Sequence, residues 1–284
     1  MTLAAILALG ASLGWGISDF LGGRKSSALT LLPVLVVSQL ASLVLLAGGV
    51  MLIGGAVPPG GSVLAAALAG LGEVVGVAAL YRGLAVGVTS VVAPAAAVAP
   101  ALPLVVGLAL GDAPTPIRGA GLVVVVLGVV LTAYQRTSAA IDRRRGLVSL
   151  TYGLVSAGGF GTFFVAMDAA SDGGVPWALL VARLTAVTGV LLVAVTARAR
   201  MRVARGHLPA LALIGILIVA ADALYATAST VGELSVVAVL SAFHPVVTIA
   251  LAWIYLRERV SPIGQAGIAL TVCGVIAITA TSST

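Results

Sequence analysis

Residues 87–100 read Gly-Val-Thr-Ser-Val-Val-Ala-Pro-Ala-Ala-Ala-Val-Ala-Pro, and residues 232–245 read Gly-Glu-Leu-Ser-Val-Val-Ala-Val-Leu-Ser-Ala-Phe-His-Pro. At an offset of 145, seven positions agree: Gly87/Gly232, Ser90/Ser235, Val91/Val236, Val92/Val237, Ala93/Ala238, Ala97/Ala242 and Pro100/Pro245. At an offset of 146 the agreement resumes: Pro116-Ile117 with Pro262-Ile263, Ala120-Gly121 with Ala266-Gly267, and Gly128-Val129 with Gly274-Val275. In a chain rich in Ala and Val, matched Gly and Pro at fixed spacing weigh more than matched apolar residues. The chain reads as two copies of one unit.

Working outward, the 284 residues are 61% hydrophobic and 8% charged, with a mean hydropathy of +1.22. A soluble domain has no interior large enough to hide that much apolar surface. A continuous apolar stretch of about 20 residues crosses a bilayer as a helix. Ten such stretches are visible: 3–22, 30–53, 62–82, 86–110, 115–134, 147–168, 175–197, 208–229, 233–256 and 260–280. They do not alternate as barrel strands would. The expected fold is an all-α membrane protein of ten transmembrane helices. Two five-helix repeats, 1–135 and 147–284, flank a basic linker at 136–146. An odd number of crossings per copy turns the second copy upside down, the inverted-repeat design of many secondary transporters.

The net charge of +6 is not a nucleic-acid signal, because thirteen of the fifteen Lys and Arg residues fall in odd-numbered loops between spans. Arg118 and Arg183 are the other two. The positive-inside rule places the odd loops in the cytoplasm and both termini outside, in a multi-pass protein of the cell's inner membrane. The absence of a basic residue ahead of the first apolar stretch argues against a cleaved signal peptide. Cys273 is the sole cysteine, so neither an intrachain disulfide nor a Cys/His metal cluster is expected. No cofactor is expected.

Several residues stand out inside the apolar spans. Span 1 carries Ser12, Trp15 and Asp19 on one face. Asp19 is expected either to pair with the nearby Arg24 and Lys25 or to face a cavity. Gln39 in span 2 corresponds to Arg183 in span 7. An intramembrane Arg costs about 2.5–3.5 kcal/mol on insertion scales, so it needs a partner, water or headgroups. Glu73 in span 3 has no charged sequence neighbour; its expected partners are Arg183, a substrate amine or a proton. Asp222 in span 8 lies three residues before Tyr225, and Ala79-Leu80-Tyr81 repeats as Ala223-Leu224-Tyr225. Pro94, Pro100 and Pro103 interrupt span 4 and Pro245 interrupts span 9, with His244 beside it. Mid-helix prolines free carbonyls and bend helices. Broken helices at matched points signal a midplane site, with Pro100 and Pro245 as hinges. Gly121/Gly128 and Gly267/Gly274 lie nearly two turns apart on spans 5 and 10. Such faces are expected to pack the two helices together as scaffold.

These features together resemble the drug/metabolite transporter superfamily, EamA type. The resemblance rests on two five-helix units, Trp15-Gly16 in span 1 and Gln39 or Arg183 in spans 2 and 7. It also rests on Ser…Pro in spans 4 and 9, acidic Asp112 and Glu258 after them, and Ala-Gly-x6-Gly-Val in spans 5 and 10. It covers nearly the whole chain. It implies a central cavity between spans 1–4 and 6–9, with spans 5 and 10 behind, and export or exchange of small solutes. Gln39 and Asp112 stand where the family usually carries Arg and Glu. Glu73 and Asp222 have no equivalent in the opposite copy.

The expected function is therefore a secondary transporter working by alternating access, not an enzyme. Its binding residues would be Trp15, Glu73, Tyr81, Arg183, Asp222, Tyr225 and His244. One interior cation with several acids suits a zwitterion such as an amino acid, with protons as the coupling ion. An uncoupled facilitator and a drug or organic-cation exporter are the alternatives within transport. A membrane-embedded lipid enzyme finds no nucleophilic or metal-ligand arrangement, and a channel finds no ring of like charges. Partners are a small-molecule substrate and the lipid bilayer, with no nucleic acid. Fusion of the two halves makes a monomer sufficient.

Overall fold

The computed structural model of the chain describes residues 2–29, 31–53, 59–133, 143–199, 201–256 and 262–280. In order, the helices are α1 (Thr2–Ala28), α2 (Leu31–Ile53), α3 (Gly60–Val86), α4 (Thr89–Ala96), α5 (Ala101–Leu110) and α6 (Pro116–Ala133). There follow α7 (Arg143–Ser171), α8 (Val175–Thr196), α9 (Leu208–Ser229), α10 (Leu234–Ser241), α11 (His244–Leu256) and α12 (Pro262–Ala280). A 3-10 turn, Arg205–His207, leads into α9. No strand occurs among the described residues. Prolines open several helices, as at Pro116 of α6, Pro176 of α8 and Pro262 of α12. The first turn of a helix leaves its N–H groups unpaired, so proline costs nothing there. Gly111, at φ 109°, closes α5 in the left-handed conformation that a Cβ disfavours.

Among the described residues, six helices are long and apolar enough to cross a bilayer, in the regions Thr2–Gly22, Leu32–Leu52, Gly60–Leu80, Arg144–Ser171, Val175–Thr196 and Arg205–Ser229. Shorter apolar helical stretches cover Ala101–Leu110, Gly119–Leu131, Leu234–Thr248 and Pro262–Ala277. The chain is an integral, all-helical membrane protein. At 27 residues, α1 runs to about 40 Å and outreaches a hydrocarbon core of about 30 Å. Of the linker expected at 136–146, residues 143–146 belong to α7, and 136–142 lie outside the described residues.

The two spans expected to be broken by proline, 86–110 and 233–256, are each a pair of helices. In the first the chain turns through 97–100, where Ala99 N–H donates to Ala96 O at 3.1 Å and Ala101 N–H to Val98 O at 2.9 Å. In the second it turns at Ala242 and Phe243, with Phe243 N–H donating to Leu240 O at 3.3 Å and Val246 N–H to Phe243 O at 3.0 Å. These bonds span three residues rather than four. Pro100 and Pro245 have no N–H to continue the ladder, so the helix tightens and restarts.

The packing is reciprocal. Helix α1 lies on α9 as α7 lies on α3, and α2 meets α9 as α8 meets α3. The close approaches repeat residue by residue. A Cβ added to Gly14 would meet Ala221 Cβ at 2.9 Å; one added to Gly159, 145 positions on, would meet Gly76 N at 2.5 Å. Gly16 abuts Val247 and His244 O, and Gly161 abuts Leu102 and Ala99 O, all four pairs related by the same offset. Helices α6 and α12 pack together. A Cβ on Gly274 would lie 2.9 Å from Gly121 O and one on Gly128 2.9 Å from Gly267 O. The glycines expected to join spans 5 and 10 thus face each other.

Candidate functional site

Where α2, α3, α8 and α9 converge, the structure buries charge. Arg183, on α8, is 2% exposed in a helix that is otherwise apolar. Desolvating a guanidinium costs several kcal/mol unless it is paired and hydrogen-bonded. Three side chains from three other helices provide that. Arg183 Nη1–H donates to Gln39 Oε1, and to Glu73 Oε1 at 3.0 Å; Nη2–H donates to Asp222 Oδ2. Gln39 Nε2–H also donates to Glu73 Oε1, at 3.1 Å. The Nε–H of Arg183 is buried without a partner among the described residues.

Asp222 is held from its other side too. The indole Nε1–H of Trp15 donates to Asp222 Oδ1 at 2.9 Å. The Trp15 ring is itself clamped, with ring centroids at 5.9 Å from each of Phe163, Phe164 and Tyr225. Tyr225 is fully buried and its hydroxyl donates to Phe164 O at 2.8 Å. It orders the wall behind Trp15.

One turn along α1 from Trp15, Asp19 Oδ2 lies 2.9 Å from His244 Nδ1. The His244 ring stands edge-on to Trp15 at 6.1 Å. His244 is the first residue of α11, so this pair joins α1 to the restart of a broken helix. The same junction carries a second bond, Thr248 Oγ1–H donating to Gly16 O at 3.1 Å. Asp19 is thus bonded to a side chain distant in sequence, at the restart of α11.

On the other side of the cluster a groove of about 480 Å³ opens between α2, α3 and α8. Gln39 and Glu73 line it, aliphatic residues such as Leu35, Val77 and Val190 form its walls, and Arg82 is at its rim. Another groove, of about 470 Å³ between α6 and α12, is lined by apolar and small residues including Cys273.

Of the residues expected to form a site, Trp15, Glu73, Arg183 and Asp222 are joined directly, His244 touches Trp15, and Tyr225 backs it. The side chain of Tyr81 lies outside the described residues. Pro100 and Pro245 sit at the two helix restarts, 101 and 244. Sequence reasoning noticed Gln39 as the counterpart of Arg183 but left it out of the site; its position in an apolar span was the available signal. It also missed the Phe163–Phe164 pair, which lies just after Phe160-Gly161, the counterpart of Trp15-Gly16. A further contact joins the halves elsewhere: Ser235 N–H donates to Asp112 Oδ2 at 2.9 Å, capping α10.

One crystal structure of a protein matches over 99% of this chain and 97% of its own, with a TM-score of 0.79 at 16% identity. At that identity the likeness shows the fold alone. No curated protein sequence matches the chain. Residues 147–280 match the model of the EamA-like transporter family. The second half of the chain is thus similar to the EamA-like transporter family, a match that supports an EamA-type protein of the drug/metabolite transporter superfamily.

Proposed function

We propose that the protein is a secondary carrier that exports or exchanges small metabolites by alternating access, with Arg183 and its partners at the centre of the substrate path. In this reading the α4–α5 and α10–α11 pairs are each one broken span. The chain then makes ten crossings, as two inverted units at 1–135 and 147–284. The matching contacts of Gly14 on Ala221 with Gly159 on Gly76, and of Gly16 on Val247 with Gly161 on Leu102, support it, since a pseudo-twofold axis turns each contact into its partner. Bending at the turns before α5 and α11 lets one unit rock against the other, with Pro100 and Pro245 as hinges.

The observation that carries the proposal is the buried Arg183, joined to Glu73 and Gln39 of the first half and to Asp222 of the second. Ionisable groups at this depth are expensive and mark substrate or ion pathways by default. Trp15, Asp222 and His244 line the path on one side of the cluster, and Glu73 on the other. The substrate is a zwitterion such as an amino acid, and a proton taken up by one of the carboxylates is the coupling ion. One chain suffices as the working unit, in the cell's inner membrane.

Counterflow in proteoliposomes tests this, with labelled amino acids, nucleobases and lipophilic amines loaded on one side. Saturable exchange of one class, abolished in Arg183→Met, is the expected result. Absence of exchange with every class, in protein that remains monodisperse and folded, would overturn the carrier reading. Exchange that proceeds without any response to a pH gradient would leave a carrier but remove the proton, favouring a facilitator.

A further inference from the structure

The connection between α8 and α9, residues 197–207, carries Arg198, Arg200, Arg202 and Arg205, while no acid occurs in sequence between Asp172 and Asp222. Arg200 lies outside the described residues. The connection is fastened where it leaves α8. Ala199 N–H donates to Ala194 O at 2.9 Å and Arg198 N–H to Val195 O at 3.0 Å. This closure holds Arg198 at φ 49°, the one positive φ of a non-glycine residue among the described residues. A Cβ is disfavoured there, and glycine is the usual occupant. Two apolar side chains then pin the connection to the core. Ala199 packs against Val36, Val190 and Ala194, and Val203 against Val34, Leu211 and Ile214. Arg198, Met201, Arg202 and Arg205 are left exposed around these anchors. Among the described residues, none of these three arginines has an ion pair.

We propose that this connection is a docking surface for anionic phospholipid, with Arg198, Arg202 and Arg205 donating to headgroup phosphates. Helix α8 ends at Thr196 and α9 starts at Leu208, so the connection lies at the bilayer surface, level with the headgroups. Exposed apolar side chains adjoin the charges: Val195 before them, Met201 among them and Leu208 after them. They enter the acyl boundary while the guanidinium groups stay at the phosphates, the division of labour of an interfacial segment. A guanidinium presents paired donors that match phosphate oxygens. A topology signal needs only positive charge in a loop, and a slack loop serves it equally well. Here the arginines are fixed in place by Ala199 and Val203, and one of them stands where the backbone favours glycine. Clusters of basic residues beside a membrane span draw anionic lipid for this reason. The surface also bears on the central cluster, because it ties α8, which carries Arg183, to α9, which carries Asp222.

The test uses the full chain in phosphatidylcholine nanodiscs, with Cys273→Ala and Ala204→Cys and a bimane fluorophore at position 204. Ala204 is exposed between Arg202 and Arg205. The quenchers are phosphatidylglycerol and phosphatidylcholine, each carrying a nitroxide near its headgroup and added at rising fractions. Half-quenching is expected at about a tenfold lower fraction of phosphatidylglycerol. A fluorophore on Gly61→Cys, in a stretch without charge, is expected to show no preference. Arg198→Gly removes one guanidinium and suits the backbone at φ 49°, so the fold is kept. It should reduce the preference at position 204 about fivefold. Equal quenching by the two lipids at position 204 would overturn the proposal. So would an equal preference at position 61, which would trace it to the charge of the whole chain. An unchanged preference in Arg198→Gly would sink it too, and Arg202→Gln asks the same question if that variant does not fold. Inorganic phosphate exchanged for chloride at constant ionic strength should leave the preference intact. Its loss there would assign the surface to free phosphate and end the lipid reading. No solute is moved in this measurement, so its outcome stands apart from that of the counterflow assay.

Discussion

Trp15 Nε1–H donates to Asp222 Oδ1 at 2.9 Å, a bond between α1 of the first half and α9 of the second, 207 residues apart. It gives a buried carboxylate a neutral donor opposite its guanidinium. It also aligns an indole whose far edge meets His244. Trp15→Phe keeps most of the ring packing and deletes only the donor. Loss of a hydrogen bond to a charged group in this setting is expected to cost about 1.5–3 kcal/mol of stability. Thermal unfolding in detergent measures it, with Trp15→Phe against wild type. An unfolding midpoint equal to wild type would mean that Asp222 does not depend on this bond.

Arg183 should be the least replaceable residue of the cluster. Arg183→Met leaves Glu73 and Asp222 buried without a cation, a change expected to cost about 3–5 kcal/mol. Adding Glu73→Gln and Asp222→Asn to Arg183→Met removes the stranded charges and should recover part of that loss. The triple variant would then be more stable than Arg183→Met alone, because groups in one network are not additive. Chemical denaturation in mixed micelles gives the comparison. A triple variant less stable than the single one would show that the acids are stabilised by something other than Arg183.

Much of this arrangement was legible in the sequence, and the rest was not for physical reasons. The repeated Gly and Pro marked places where helices come close, because close helix contacts demand small residues at fixed positions. Gly16 and Gly161 each abut a backbone carbonyl, at positions 244 and 99. An intramembrane Arg and two intramembrane acids announced themselves by their cost. What periodicity could not give was the pairing. Asp19 lies close in sequence to Arg24 and Lys25, yet it bonds His244, brought to it by the packing of α1 on α11. Gln39 likewise reads as an unremarkable amide until α2, α3 and α8 meet. The breaks at 97–100 and 242–243 were expected from proline, but their placement depends on which carbonyls the turn leaves paired.

The contact between α6 and α12 should be intolerant of bulk at its glycines. A Cβ on Gly274 would meet Val125 Cγ2 at 2.7 Å and Gly121 O at 2.9 Å. Gly274→Val would therefore push the helices apart, at an expected cost of about 1–3 kcal/mol. Gly119, also on α6, has nothing within 4 Å of an added Cβ. Gly119→Ala should be neutral or stabilise by up to about 1 kcal/mol through helix propensity. Paired unfolding measurements on the two variants decide the point. Equal effects would mean that the glycines act through backbone flexibility rather than close packing.

The orientation of the chain is testable with its own chemistry. Cys273 is the sole cysteine, so Cys273→Ala gives a clean background. Gly61 is exposed at the start of α3, in the loop region expected outside, and an added Cβ there meets nothing within 4 Å. Arg202 is exposed between α8 and α9, in the basic stretch expected inside. Because the loop charge bias sets orientation, Gly61→Cys should react with a membrane-impermeant maleimide in intact cells. Arg202→Cys should react only after lysis. The opposite pattern would place both termini in the cytoplasm. The Arg-rich loops would then face outward, against the bias, and the Asp19–His244 pair would have to be reassigned to the other end of the path.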